Sequence, residues 1–197
     1  MAEDPLKLSP VRSFLAIPLE DIFHKELDRI LELLRGEVPG VRWVKPEQVH
    51  LTLHFFGSIP TSAIERINLS MQKVASSFDP LELSMDRFGG FPDLKNPNIL
   101  WLGVHEGTGR LFLLQSAIQE EIRTLGFEIE TRPFHPHVTI GRIKGKVENL
   151  GPPCEKILFE FPTVEKTADH FVLYQSHCLP EGVRYDVLKT YPLSKKT

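Results

Sequence analysis

Two cysteines in 197 residues, Cys154 and Cys178, are too few for a disulfide framework and lack the spacing of a metal-binding cluster. No apolar run approaches the roughly 20 residues that cross a bilayer, so no membrane span is expected. Excess positive charge is missing too. The 23 Lys and Arg against 26 Asp and Glu leave a net charge of -3, which argues against a protein that coats long nucleic acid by bulk electrostatics. A local basic cleft for a small anion or an RNA end remains compatible with that balance. The opening Met-Ala-Glu-Asp lacks the charged and apolar regions of a signal peptide, so a cytoplasmic protein with reduced thiols is expected. No stretch has linker composition, and residues 1–197 are expected to form a single domain.

What is present is a chain of alternating short patterns, punctuated by 16 Pro and 13 Gly. Val11 to Ile17 is rich in β-formers and predicts a first strand. Leu19 to Leu34 places apolar residues at helical spacing, as do Ile64, Ile67, Met71 and Val74 after a possible cap at Thr61 or Ser62. A third helix is predicted over Thr108 to Leu125. Strands are predicted at Val41 to Val44, Val49 to Phe56, Leu81 to Phe88, Ile99 to Val104, His137 to Ile143, Ala168 to Ser176 and Val183 to Thr190. Residues 89–98 read as a loop, and 144–162 as loop with a short helix over 155–161. The order β-α-β-β-α-β-β-α-β-β-β is that of an α/β chain with helices set among hairpin-like strand pairs.

Two of these strands carry the same element. His50-Leu51-Thr52-Leu53 and His137-Val138-Thr139-Ile140 each alternate an imidazole and a hydroxyl with aliphatic residues. Side chains alternate faces along a strand, so each copy offers His and Thr from one face and aliphatic anchors from the other. One His-x-Thr is common by chance; two with the same polarity point to a paired acid/base site. Opening a phosphodiester requires a group that takes a proton and one that gives it, and His titrates near neutral pH. Threonine hydroxyls and an arginine can hold the nonbridging oxygens. Arg142 stands five residues beyond His137, an odd offset that points it away from the cleft in an ideal strand; a bulge at Gly141 would bring it round. His54 shares the nominal face of His50 and Thr52 and is a second candidate for the cleft.

With Arg-Ser-Phe-Leu-Ala-Ile-Pro near the start, Arg-Trp-Val-Lys-Pro-Glu-Gln-Val before the first histidine and Phe-His-Pro-His-Val-Thr-Ile-Gly-Arg around the second, the chain resembles the two-histidine (2H) phosphoesterase superfamily. Within it the similarity is to RNA 2′,3′-cyclic phosphodiesterases, also known as 2′-5′ RNA ligases, over about Val11 to Tyr191. The resemblance implies a bilobal α+β fold with two antiparallel sheets lining a cleft. It implies His50 and His137 as acid and base, Thr52 and Thr139 as phosphate ligands, and Arg142 as a further phosphate contact. It implies an enzyme that opens a terminal 2′,3′-cyclic phosphate to a 2′-phosphate, with 2′-5′ joining in some members. His137 is assigned to activating water and His50 to protonating the departing 3′-oxygen, with the reverse assignment left open. Gly141 and His54 depart from the family's expected pattern.

Phe14 and Tyr174 are the preferred rings for stacking on a nucleobase, among aromatics that also include Trp43, Phe55, Phe56 and Phe134. Lys45, Arg132, Lys144 and Lys146 could form a basic rim for an RNA end. A metal bound by His50, His54, His135 and His137 is geometrically conceivable, but it leaves the threonines without a task. No cofactor is expected. The expected partners are RNA ends or small nucleotides bearing a 2′,3′-cyclic phosphate, acted on by a monomer. The competing functions are cleavage of 2′-5′ oligonucleotides or another cyclic nucleotide, and an RNA-end-binding module without turnover.

Overall fold

The computed structural model describes residues 10–19, 31–32, 34–36, 38, 40–145, 150, 163–180 and 182–194. Nine strands among them form one antiparallel sheet. They are β1 (Pro10–Pro18), β2 (Val41–Trp43), β3 (His50–Pro60), β4 (Leu81–Phe91), β5 (Ile99–His105), β6 (His137–Ile143), β7 (Val164–Ala168), β8 (His170–Leu179) and β9 (Gly182–Pro192). Helices α1 (Ile64–Ala75) and α2 (Arg110–Thr124) pack against each other, α1 reaching β9 and α2 reaching β3. Both are amphipathic: Ile67, Met71 and Val74 of α1 and Leu111, Leu114, Ile118 and Ile122 of α2 are buried in the main core.

The strand order β7-β4-β5-β6-β3-β1-β8-β9 is symmetric about its middle, with four strands on either side, while β2 pairs separately with β6. The α+β class and the duplicated layout agree with the sequence. The two expected sheets are instead halves of one, joined where Leu51 of β3 pairs with Val138 of β6. Leu51, Leu53, Val138 and Ile140 face the helix-covered core, as the alternation demands.

Two segments differ from expectation. Strand β4 continues through Gly89 and Gly90, expected in a loop, because they pair with Trp101 and Leu100 of β5. The Trp101 indole lies directly over Gly89, where a Cβ would run into the ring, so any side chain there must displace the indole. Strand β7 has no counterpart among the expected elements; it pairs along β4 and ends at Ala168, where the sequence suggests that β8 begins. The helix expected over Leu19 to Leu34 falls largely outside the described residues, although Leu31, Glu32 and 34–36 are helical with Leu31 and Leu34 buried. The short helix suggested for 155–161 and Lys146 also lie outside them.

Candidate active site

On the face of the sheet away from the core cluster, β3 and β6 bring their His-x-Thr elements to a cavity of about 450 Å³ lined by His50, Thr52, His137, Thr139 and Arg142. The antiparallel register at Leu51 and Val138 sets His50 across from Thr139 and Thr52 across from His137. Each imidazole therefore stands beside the hydroxyl of the other copy.

The rings are fixed alike. His50 Nδ1 lies 2.7 Å from the Gln48 carbonyl oxygen, and His137 Nδ1 lies 2.7 Å from that of His135. A carbonyl only accepts, so in both rings Nδ1–H is the donor and Nε2 is left for proton exchange. Burial pulls His50 down to about 4; the Gln48 carbonyl opposes this, and the charges of Arg142 and His137 add to it. His137 is also lowered, by burial first, against the His135 carbonyl, with the His135 ring and Arg142 contributing. Both shifts favour the neutral ring at neutral pH.

Arg142 reaches the cavity through an irregularity. The β5–β6 register passes from Leu100↔Gly141 to Trp101↔Thr139, leaving Ile140 as an extra residue. That bulge reverses the face of the residues beyond it and turns Arg142 toward Thr139 and His137. Strand β3 carries the same device: Leu15↔His54 is followed by Ala16↔Thr52, with Leu53 extra. Its consequence corrects the placement of His54. The ring is 4 % exposed on the core face, edge-on to Phe56 at 4.7 Å, and does not line the cavity. Phe55 turns into the cavity instead, with the Arg12 guanidinium 4.9 Å above its ring.

Gly141 occupies the position in β6 that His54 occupies in β3. There a Cβ would stand 2.7 Å from Val41 Cγ1 and 3.1 Å from the Trp43 ring, so β2 fills the space that an imidazole fills in the other half.

Phe14 lines the cavity and lies 4.9 Å from the His50 ring. Tyr174 does not: it is 6 % exposed and stacked behind Phe14 at 5.3 Å, which makes it a support rather than a stacking surface. The ring that local sequence pattern misses is Tyr185, half-buried in the cavity wall and edge-on to His50 at 5.3 Å. It stands on β9, which a hairpin joins to β8, and the pairing of β8 with β1 that brings it beside His50 is not encoded in that pattern. His137 has its own aromatic flank in Phe91 at 5.0 Å and Trp101 at 6.3 Å.

Of the expected basic rim, Lys144 lines the cavity, and Arg12 and Arg42 join it. Lys45 does not line it, and Arg132 is paired with Glu130 at 2.6 Å. His135 is exposed, and no three His, Cys, Asp or Glu among the described residues are placed to hold a metal ion.

A family profile described as the 2′-5′ RNA ligase superfamily matches residues 23–177. The chain is 34% identical over 178 residues to an RNA 2′,3′-cyclic phosphodiesterase of Thermotoga maritima, covering 90% of this chain and 93% of that protein. It is 32% identical over 181 residues to one of Archaeoglobus fulgidus, covering 92% and 99%. Its fold is similar to that of Escherichia coli LigT complexed with 3′-AMP, with a TM-score of 0.73 and 24% identity over 94% of this chain and 99% of the other.

Proposed function

Because this chain belongs to the 2′-5′ RNA ligase superfamily, we propose that it opens terminal 2′,3′-cyclic phosphates on RNA to 2′-phosphates. The observation that carries the reading is the pair of imidazoles from the two halves of the sheet, each held by its Nδ1–H and each presenting Nε2 to one cavity.

Water attacks phosphorus, the bond to O3′ breaks, and phosphate remains on O2′. His137 takes the water proton at Nε2 and His50 gives a proton to O3′, a pairing that typically contributes 10²–10⁴-fold. Thr52, Thr139 and Arg142 hold the nonbridging oxygens as charge gathers on them. One feature supports this division of roles. Phe14 and Tyr185 surround His50, so a nucleoside lodged against Tyr185 or the half-exposed Phe55 ring has its 3′-oxygen on that side. Burial lowers both rings, so the proton that His50 gives must be taken up as the anionic phosphate settles beside it. A 5′-hydroxyl attacking in place of water would give a 2′-5′ linkage by the same proton traffic.

All the proton transfer and charge neutralisation can be carried by side chains, so activity is expected to persist in excess chelator. We take the protein to be a cytoplasmic monomer, since one chain supplies both histidines and exposes the free thiol of Cys178. The test is to incubate it with nucleoside 2′,3′-cyclic phosphates in chelator and locate the product phosphate. A 2′-phosphate is expected; a 3′-phosphate or no turnover would overturn the proposal.

A further inference from the structure

The cavity holds more positive charge than a cyclic phosphate calls for. Besides Arg142, the described lining includes Arg12, Arg42 and Lys144 and no carboxylate, in a chain whose net charge is -3. A 2′,3′-cyclic phosphate carries a single negative charge, which the imidazoles, the threonines and Arg142 already meet.

Three of the cations are gathered by the backbone. Arg42 of β2 and Arg142 of β6 are direct partners across an antiparallel ladder. Like charges placed so repel one another, and an anion seated between two guanidinium groups converts that repulsion into a clamp. Lys144 lies two residues beyond Arg142 and also lines the cavity. The three-residue β2 pairs only with β6 among the described strands, and the vacant side of Gly141 lets Trp43 pack there and fix it. Arg42 is held from its other side. A Cβ on Gly182 would stand 2.8 Å from its Nη2, so the end of the β8–β9 hairpin packs on the guanidinium. The Gln48 side-chain amide, donating to the Val183 carbonyl, ties the same hairpin end down.

We infer that Arg42 and Lys144 form a second anion subsite for the phosphate on the 5′-oxygen of the nucleotide whose cyclic phosphate is opened, with the Arg142 guanidinium, which has five N–H donors, shared between that subsite and the cyclic phosphate. The inference rests on the cyclic phosphodiesterase reading and narrows its substrate to a nucleotide phosphorylated at both ends of its ribose. That phosphate can be a terminal monoester or the diester of a longer strand, and both offer the same oxygens.

Kinetics on three substrates test this: a nucleoside 2′,3′-cyclic phosphate, its 5′-phosphorylated form, and a dinucleotide ending in the cyclic phosphate. Each 5′-phosphorylated form is expected to exceed the bare nucleoside in kcat/KM by about tenfold or more, the scale of a charge-assisted contact. In the Arg42→Ala/Lys144→Ala double variant that ratio should fall to about one. A dinucleotide that outdoes the 5′-monophosphate assigns the subsite to the strand backbone; equal ratios assign it to either ester. A wild-type ratio near one, or a ratio that survives in the double variant, overturns the inference. Should no substrate turn over, the functional reading falls. Titration calorimetry with a nucleoside 2′-phosphate against the 2′,5′-bisphosphate then judges the subsite by the same ratio, again in both proteins.

Discussion

His54 should make this protein acid-sensitive for a reason unconnected with catalysis. Its ring is buried, with neither nitrogen hydrogen-bonded among the described residues. Burial lowers it to about 4, with Glu130 opposing. In the unfolded chain an imidazole takes its proton near pH 6.5. Above that value both states hold the ring neutral, and nothing depends on pH. As pH falls from 6.5 toward 4 the unfolded state binds the proton first, so stability drops. At 1.36 kcal/mol per pH unit the loss from this one side chain reaches about 3 kcal/mol. His50, lowered similarly, adds a second slope of the same size, so the two together steepen the wild-type dependence to about 2.7 kcal/mol per pH unit at its limit. Replacing His54 by Leu removes one of the two. It also removes two unpaired buried nitrogens, so the variant should be more stable than wild type by about 1–3 kcal/mol at pH 7.5. Urea unfolding at a series of pH values from 7.5 to 5 measures both effects. Parallel stability curves for wild type and His54→Leu below pH 6.5 would refute the reasoning, since the variant must flatten the slope by about one proton.

Sulfate, which does not itself titrate near neutrality, should bind with uptake of about one proton from solution at pH 7, because an anion in the cavity raises the lowered His50 and His137. Calorimetry in two buffers of different ionisation enthalpy reads this, and zero uptake contradicts it. Replacing His50 or His137 by Ala should each reduce turnover of a cyclic phosphate by 10² or more. An aryl phosphodiester, whose leaving group needs no proton, should rescue His50→Ala selectively; equal rescue of both variants would undo the assigned roles. Gly89→Ala should cost about 1–3 kcal/mol in unfolding free energy by displacing the Trp101 indole. It should also lower kcat, because Trp101 and Phe91 flank His137; a variant as stable and active as wild type would show that the indole is free to move.

Apart from β7, the order of the described elements and the paired His-x-Thr strands are legible in the sequence because they rest on local periodicity, and so are Leu51, Leu53, Val138 and Ile140 as anchors in the core. What the pattern hides is register. Leu53 and Ile140 are each one residue too many for the neighbouring strand, and a one-residue offset exchanges the two faces of everything beyond it. Gly141 advertises the bulge in β6, so Arg142 can be expected in the cleft. Nothing in Leu53-His54 advertises its twin, and the alternation therefore puts His54 on the wrong face and gives no preference to Phe55. Tyr185 and Arg42 are hidden for another reason: they reach the cavity through the pairing of β8 with β1 and of β2 with β6, which are long-range and not set by local sequence.

The junction at Leu51 and Val138 has a further meaning. A dimer of identical half-chains meeting there would also assemble two histidines and two threonines around one cavity. Its imidazoles, however, would be indistinguishable, and nothing would tell the proton donor from the acceptor. Carrying both halves on one polypeptide lifts that degeneracy. Phe55 can stand where its counterpart is Arg142, and His54 where its counterpart is Gly141. Each half is thus at liberty to specialise, under the proposed function one in seating the nucleoside and the other in gathering phosphate charge, while the backbone that aims the two rings stays the same.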